Sequence, residues 1–391
     1  MSSSVILGAC RTAVGSFGGT LKDFTAPDLG AIVIRESLAR AGVPADVLDD
    51  VLMGCVLQAG AGMNVARQAA IKAGVPNTVP AETINRVCGS GLQAVAHAAQ
   101  AVKAGDASVI VAGGTESMSM VPMMGHKVAM NPAVFRDENV AIAYGMGITA
   151  EKVAEQWKVS REDQDAFALA SHQKALAAIA AGEFKAEIAP YTLDDHYPDL
   201  AAGRIVDDTR VVDTDEGPRK DTSLEGLGKL KPVFRLGGSV TAGNASQMSD
   251  GAGAVLLASE RALKEFNLTP LARFVSFSVA GVKPDIMGIG PIAAIPKALR
   301  QAGLSKDQLD WIELNEAFAA QALAVIRDVG LDPARVNPLG GAIALGHPLG
   351  ATGAIRAATL IHGLRRRKQK YGMVTMCIGT GMGAAGIFEA L

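Results

Sequence analysis

The sequence is poor in aromatic residues and cysteine, and it carries no strong excess of either charge. Of its 391 residues 4% are aromatic, and the formal net charge is −2. Proteins that bind nucleic acid usually present a basic surface, so we do not expect nucleic acid as a partner. Glycine is abundant, with 44 residues, and 49% of the residues are hydrophobic. A core of small aliphatic side chains with closely approaching backbones is typical of layered α/β folds.

The four cysteines lie far apart and form no C-x-x-C pair, which argues against a disulfide framework and against a zinc site. We therefore expect free thiols in a reducing compartment, no bound metal and a cytoplasmic location. The sequence also has no run of about 18 or more uninterrupted apolar residues, so no membrane insertion is expected. The N-terminal apolar stretch is too short for a signal peptide. The cysteines are Cys10, Cys55, Cys88 and Cys377.

The sequence contains one internal repeat. Residues 29–54 and residues 290–315 both show a helical period, a glycine turn, an acidic link and an apolar strand. Gly42 matches Gly303 and Asp49 matches Asp310, and both pairs are 261 positions apart. Looser matches follow, with predicted helices over 92–104 and 354–367 and predicted strands over 107–113 and 372–378. Helices between strands imply parallel crossovers, so each copy should be a βαβ-rich unit with a mixed sheet.

The segment between the copies differs in kind, because it is rich in methionine, acidic residues and proline. A helix is predicted from Ser160 to Ala181, with Ser160 as its N-cap. We expect three parts: an N-terminal half over 1–118 plus 241–268, an inserted loop domain over 119–240, and a C-terminal half over 269–391.

Cys88 lies in NRVCGSGLQAV, directly before the first predicted long helix. A helix N-terminus presents unpaired amides and a positive dipole end, which stabilise an anion and should lower the pKa of a thiol there. The sequence thus predicts a nucleophile. The alternative is an ordinary buried cysteine that packs as a small hydrophobe.

The second copy supplies three further candidates at strand ends or turns. His347 lies in GGAIALGHPLGATG near the repeat equivalent of Cys88, so the two helix starts should face one another about a pseudo-twofold axis. Cys377 enters the turn CIGTGMG, and Asn315 ends a strand. A surface histidine, a core cysteine and a helix-capping asparagine are the alternatives. Together with Cys88, these residues suit acyl transfer with a carbanion-like leaving group.

Seven motifs, in one order, carry a resemblance to a known family. They are NRVCGSGLQAV, GGTESMS, VTAGNASQMSDGAGA, MGIGP, NEAFAAQ, GGAIALGHPLGATG and CIGTGMG. In these motifs the chain resembles the thiolase family, the acetyl-CoA C-acyltransferases, over essentially its whole length. The resemblance implies two pseudo-twofold-related α/β halves in five layers, αβαβα, with an inserted loop domain.

The resemblance also implies roles for five residues. Cys88 would attack the keto carbonyl of a 3-ketoacyl-CoA, and His347 would activate its thiol. Cys377 would protonate the departing acetyl-CoA enolate and later deprotonate the incoming CoA thiol. His347 and a water on Asn315 would stabilise the enolate oxygen. The backbone amides of Cys88 and Gly379 would hold the tetrahedral intermediate.

Coenzyme A is implied as a co-substrate, with no permanently bound cofactor. The resemblance assigns the pantetheine contact to Ser246, a nucleotide contact to Arg219, a tunnel wall to Ala317 and Phe318, and a place beside the substrate to Met146. It further implies a homodimer or homotetramer, and it allows association with a β-oxidation partner enzyme.

The subtype is expected to be degradative, a 3-ketoacyl-CoA thiolase. Biosynthetic acetoacetyl-CoA thiolases carry a histidine where this sequence has Gly145 in AYGMG, and glycine leaves more room for an acyl chain. The biosynthetic enzyme remains the alternative. A decarboxylating condensing enzyme is disfavoured by Cys377, and a non-catalytic CoA- or lipid-binding module by the presence of all four candidate side chains.

Overall fold

The computed structural model describes residues 4–127 and 145–391. The strands are β1 Ser4–Arg11, β2 Gly15–Ser16, β3 Asp50–Gly54, β4 Ala81–Ile84, β5 Val109–Ser117, β6 Tyr191–Asp199, β7 Arg204–Val212, β8 Ser249–Ser259, β9 Ala272–Gly281, β10 Trp311–Leu314, β11 Tyr371–Ile378 and β12 Met382–Ala390. The helices are α1 Ala26–Ala41, α2 Val65–Lys72, α3 Ser90–Ala104, α4 Met146–Gln156, α5 Arg161–Ala180, α6 Leu224–Gly228, α7 Glu260–Glu265, α8 Gly290–Ala302, α9 Ala319–Val329, α10 Ala342–Leu345 and α11 Thr352–Arg366.

The main sheet shows the predicted duplication in its strand order. The strands run β10-β11-β12-β9-β1-β8-β5-β3-β4, and β1 and β9 join the two halves antiparallel at Val5–Arg273 and Ile6–Ala272. On each side of this join the pairing is the same. In the first half, β1 pairs antiparallel with β8, β8 pairs antiparallel with β5, and β5 pairs parallel with β3. In the second half, β9 pairs antiparallel with β12, β12 pairs antiparallel with β11, and β11 pairs parallel with β10. The prediction of two related halves with mixed sheets is therefore confirmed.

Gly42 and Gly303 cap the C-terminus of the equivalent helix in the two copies. Each follows its helix, α1 or α8, in the left-handed conformation, with φ of 65° and 67°. A residue without Cβ adopts this conformation without steric cost, so the helix ends at the same point in both halves.

Asp49 and Asp310 explain why the acidic position recurs. The Asp49 carboxylate accepts hydrogen bonds from the amides of residues 108–109 at 2.6 and 2.9 Å. The Asp310 carboxylate accepts from the amides of residues 370–371 at 2.9 and 3.0 Å. Each aspartate fixes the start of the neighbouring parallel strand, β5 or β11, and so sets the register of its half.

Helices α3 and α11 form the central of five layers, and each packs on strands of the main sheet. Helices α1 and α2 cover the outer face of the first half, and α8 covers that of the second. The two central helices approach closely at their starts: a Cβ on Gly353 would lie 2.2 Å from the Leu92 nitrogen, and one on Gly91 would lie 2.8 Å from the Gly350 oxygen. The predicted facing of the two helix starts is thus confirmed.

The region between the copies packs onto this frame. Helix α5 matches the predicted helix, and the Ser160 hydroxyl accepts from the Asp163 amide at 3.1 Å. The β6–β7 hairpin forms its own two-stranded sheet. The buried Arg11 guanidinium, at the end of β1, binds Glu187 at 2.6 Å and Asp215 at 2.7 Å and so anchors this region. No helix in residues 4–127 and 145–391 is long and apolar enough to cross a membrane.

Candidate active site

Cys88 is held in a strained connection between β4 and α3. The preceding Val87 has a φ of 44°, a rare conformation for a β-branched residue. Two side chains fix it: Asn85 accepts from the Val87 amide at 3.0 Å, and Ser90 donates to the Val87 carbonyl at 2.6 Å. The strain places Cys88 at the start of α3, where backbone outliers often mark functional sites.

The Cys88 thiol lies in an apolar pocket. Burial raises the pKa of Cys88 to about 11, and the backbone N–H groups of Gly379 and of Cys88 itself oppose this rise. The expected lowering of the Cys88 pKa is therefore wrong for the protein without substrate, because the loss of solvation outweighs the helix N-terminus. The group rests as a neutral thiol. The pocket is lined by Leu57, Met118, Val121 and Leu349.

Gly379 follows β11 in a turn that brings its amide to Cys88. The next two residues, Thr380 and Gly381, have φ of 73° and 94°. A Cβ on Gly381 would lie 2.5 Å from the Val282 oxygen, so only glycine fits there. The backbone N–H groups of Cys88 and Gly379 both lie close enough to the Cys88 sulfur to lower the pKa of its thiol against the effect of burial. Such a pair can stabilise an oxyanion formed on an atom bonded to that sulfur.

His347 is buried, with 4% of its surface exposed, so the alternative of a surface histidine is wrong. The preceding Gly346 has a φ of 97°, and a Cβ there would lie 2.3 Å from the Ser249 hydroxyl. The His347 amide donates to the Gln247 carbonyl and to the Ser249 hydroxyl, both at 3.2 Å. These contacts, from the loop that leads into β8, fix the histidine-bearing turn.

The tautomer of His347 follows from its two partners. The Thr352 hydroxyl donates to the Pro348 carbonyl at 3.0 Å, so toward His347 Nδ1, 2.7 Å away, it acts as the acceptor. Nδ1 therefore carries the proton, and Nε2 accepts from the Asn315 amide group at 3.3 Å. Burial, and to a lesser degree the charge of Arg356, lowers the His347 pKa to about 3. His347 is thus a neutral imidazole whose unprotonated nitrogen is Nε2.

Asn315 lies at the end of β10 and is fully buried. The alternative of a helix cap is wrong, because α9 begins at Ala319 and its N-cap residue is Phe318. The Asn315 Oδ1 atom has no hydrogen-bond partner within the described residues. A buried acceptor of this kind beside His347 is suited to holding a water molecule.

Cys377 occupies the end of β11 and is also fully buried. Burial raises the pKa of its thiol, and the nearby Cys88 raises it further. The two sulfurs therefore lie close enough to influence each other's charge. All four cysteines lie within the described residues and are free, as predicted.

The residues assigned to coenzyme A separate into a cluster and an outlier. The Ser246 amide donates to the Ala317 carbonyl at 2.9 Å, and the residue before Ser246 pairs with Phe318. Met146, at the start of α4, packs on the apolar cluster that contains Ala317, Phe318 and Cys377. Arg219 is exposed, and its amide donates to the His172 ring at 3.1 Å. Within the described residues, its guanidinium forms no hydrogen bond or ion pair with the cluster, so the structure does not bring Arg219 to the other residues.

Two residues that shape the site, Thr352 and Glu116, are not among those predicted from the sequence. Thr352 sets the tautomer of His347, and Glu116 accepts hydrogen bonds from two loops that border Cys88. For Glu116 a signal was present, since a carboxylate in the apolar strand VIVAGGTES must find partners. For Thr352 there was none, because a threonine at a helix start is commonplace. The described ranges contain no group of three side chains suited to a metal ion.

Comparisons with known proteins cover the whole chain. The family model described as the N-terminal domain of thiolase matches residues 4–261, and that of the C-terminal domain matches residues 268–390. An acetyl-CoA acetyltransferase of Pseudomonas aeruginosa is 52% identical over 402 residues, covering 98% of this chain and 98% of that protein. A 3-ketoacyl-CoA thiolase of Bacillus subtilis is 48% identical over 397 residues, covering 100% of both. The crystal structure of human mitochondrial 3-ketoacyl-CoA thiolase in complex with CoA matches with a TM-score of 0.89 and 42% identity, covering 100% of this chain and 98% of that one.

Proposed function

The chain belongs to the thiolase family of acyltransferases, and we propose that it cleaves 3-ketoacyl-CoA with CoA through an acyl-enzyme on Cys88. The products are acetyl-CoA and an acyl-CoA shortened by two carbons. One observation carries the proposal: two backbone N–H groups lie close to the Cys88 sulfur in a buried pocket, next to Cys377. A non-catalytic CoA- or lipid-binding module has no need of this arrangement.

The first step forms the carbon–sulfur bond. The Cys88 thiol gives its proton to Nε2 of His347, and the sulfur attacks the keto carbon of the substrate. Because Nδ1 carries a proton and donates it in a hydrogen bond to the Thr352 hydroxyl, Nε2 is the nitrogen available as base. The amides of Cys88 and Gly379 stabilise the oxyanion of the tetrahedral intermediate.

The second step breaks the carbon–carbon bond. As the keto group re-forms, the electron pair of the bond moves to the α-carbon and gives the enolate of acetyl-CoA. The protonated Nε2 of His347 and a water held by Asn315 Oδ1 stabilise the enolate oxygen. Cys377 transfers its proton to the α-carbon, and acetyl-CoA leaves.

The third step returns the enzyme to its resting state. The thiol of CoA gives its proton to the Cys377 thiolate, and its sulfur attacks the acyl carbon on Cys88. The Cys88 sulfur leaves and recovers its proton from His347. Because acetyl-CoA departs before CoA attacks, the kinetics are ping-pong.

The degradative subtype rests on the glycine at position 145, directly before α4, where the resemblance places a histidine in the biosynthetic enzymes. A Cβ built there would meet no heavy atom within 4 Å in the described part of the chain. The alternative is condensation of two acetyl-CoA molecules, which is favoured by the name acetyl-CoA acetyltransferase of the Pseudomonas relative. Relative kcat/KM values for thiolysis of 3-ketoacyl-CoAs from four carbons upward decide between them. We expect activity to extend beyond four carbons, and a profile confined to four carbons would favour the biosynthetic enzyme.

The remaining expectations are part of the same proposal. CoA acts as a co-substrate bound near Ser246, Ala317, Phe318 and Met146, with no permanent cofactor. The enzyme is cytoplasmic, forms a homodimer or homotetramer, and can associate with a β-oxidation partner enzyme. Three parts with the bounds given above make up the chain. Light scattering of the purified protein distinguishes the two oligomeric states from a monomer.

A further inference from the structure

Glu116, on β5, is a fully buried carboxylate that takes no part in the proposed reaction. Its Oε2 accepts hydrogen bonds from the amides of Val56 at 3.0 Å and Gly350 at 2.8 Å. Its Oε1 accepts from the amide of Leu57 at 3.0 Å, and the Cys55 sulfur lies 3.5 Å away. Three backbone donors on one carboxylate satisfy it without a cationic partner.

The donors come from two halves of the molecule. Val56 and Leu57 follow β3 in the first half, whereas Gly350 precedes α11 in the second. The contact leaves no spare room: a Cβ on Gly350 would lie 2.7 Å from the Cys55 Cα. A Cβ on Gly114 would lie 2.0 Å from the Gly350 oxygen. Glu116 therefore joins two loops that pack backbone against backbone.

Both loops reach the two groups that react. Leu57 and Leu349 belong to the apolar cluster around Cys88. The turn 346–350 carries His347 and is held at its first end by the loop entering β8, through Gln247 and Ser249. Glu116 holds the other end of that turn. The distance between imidazole and thiol thus depends on both attachments.

We propose that Glu116 is a positioning residue that fixes the His347-bearing turn against the Cys88 pocket, an inference that rests on the roles proposed above for Cys88 and His347. A displacement of about 1 Å between reacting groups can cost about 100-fold in rate. Glu116→Gln keeps the shape of the side chain, but only one of its two terminal atoms accepts hydrogen bonds. The NH₂ group then faces either the Leu57 amide or the amides of Val56 and Gly350, and the backbone that loses its acceptor moves away.

The sign of the rate change in Glu116→Gln distinguishes a positioning role of Glu116 from an effect of its negative charge. The negative charge of Glu116 raises the pKa of Cys88. Its removal, by electrostatics alone, would favour the thiolate and speed the reaction. A slower reaction in Glu116→Gln therefore runs against the effect of its charge on the Cys88 thiol and agrees with a change in geometry.

A double-mutant cycle tests the proposal. Glu116→Gln, His347→Ala and the double variant are incubated with acetyl-CoA, and the rate of acetylation of Cys88 is followed by intact-protein mass spectrometry. We expect Glu116→Gln to slow acetylation about 10- to 100-fold in the wild-type background and less than about threefold in the His347→Ala background, because the effect passes through the histidine. Equal losses in both backgrounds, or no loss in the first, would overturn the inference.

Asp250→Asn is the matched control. Asp250 is a buried carboxylate on the neighbouring strand β8, beside Ser117, and it accepts hydrogen bonds from the amide and hydroxyl of Ser119 and from the Met118 amide. We expect it to lower stability but to change the acetylation rate by less than about threefold. A loss as large as that of Glu116→Gln would count against a specific role for Glu116.

A second variant and the wild-type result show which hypothesis a negative outcome contradicts. If Glu116→Gln does not fold, Glu116→Asp retains the charge but is too short to reach both loops, and the same slowing is expected. If wild-type Cys88 is not acetylated at all, the proposed function fails. If it is acetylated and the Glu116 variants match it, only the present inference fails.

Discussion

Replacement of Thr352 by valine tests how the fold prepares His347 for catalysis. Valine has nearly the same shape as threonine but lacks the hydroxyl that accepts from Nδ1 at 2.7 Å. In the variant, the tautomer with the proton on Nδ1 has a buried donor without a partner. The other tautomer puts the proton on Nε2, where it meets the Asn315 NH₂ group and cannot accept the Cys88 proton.

The magnitude follows from the cost of that unpaired donor. A buried, unsatisfied N–H costs about 1–3 kcal/mol. Relative to the wild type, this energy shifts the tautomer equilibrium away from the reactive form by about 5- to 150-fold. Because the Asn315 NH₂ group disfavours the other tautomer, we expect kcat/KM for thiolysis in Thr352→Val to fall by up to that factor.

Thr352→Ser supplies the control, because it keeps the hydroxyl. Initial rates of thiolysis are compared for the three proteins, and ¹⁵N NMR of histidine-labelled protein reports which ring nitrogen carries the proton. We expect the serine variant to stay within about threefold of the wild type. Unchanged kcat/KM in Thr352→Val, with Nδ1 still protonated, would refute the reasoning.

Three further predictions concern other parts of the structure. Cys377→Ala should still acetylate from acetyl-CoA but should lose nearly all carbon–carbon cleavage, and full cleavage would remove Cys377 from the mechanism. Gly353→Ala should lower the unfolding free energy by at least about 1–3 kcal/mol in denaturant titrations, because its Cβ would lie 2.2 Å from the Leu92 nitrogen. Gly228→Ala, in open space, should change it by less than about 0.5 kcal/mol. The pKa of His347 is about 3 in the folded chain against 6.5 in the unfolded chain, so its contribution to stability is complete above pH 6.5 and is lost as the pH falls toward 3. The stability difference between wild type and His347→Asn should therefore shrink by about 1.4 kcal/mol per pH unit in that window, and a constant difference would show that His347 titrates normally.

Much of the fold could be predicted because the two halves share residues that act on the backbone next to them in the sequence. The glycines after α1 and α8 and the aspartates before β3 and β10 act on neighbouring backbone, so their spacing in the sequence carries their structural meaning. Helix α3 begins at Ser90, two residues before the predicted start. The reason is that Ser90 folds back on Val87 and closes the turn at Cys88. The bounds of the three parts of the chain remain a prediction.

The electrostatic state of the site could not be predicted from the sequence. The helix start suggested a low pKa for Cys88, yet tertiary burial by Leu57 and Leu349 dominates. Glu116 and Gly350, which form one hydrogen bond, are 234 positions apart. Interactions of this kind have no local period or motif, so they emerge only when the two halves pack together.

The most direct test of the account is the mass of the protein after incubation with a 3-ketoacyl-CoA in the absence of free CoA. We predict that the wild-type protein gains one acyl group, shorter than the substrate by two carbons, and that peptide mapping finds it on Cys88. In Cys88→Ala, which should remain folded by circular dichroism, no acyl group should appear. Acylation that persists in this variant, or that lies on another residue of the wild type, would contradict the assignment of Cys88 as the nucleophile.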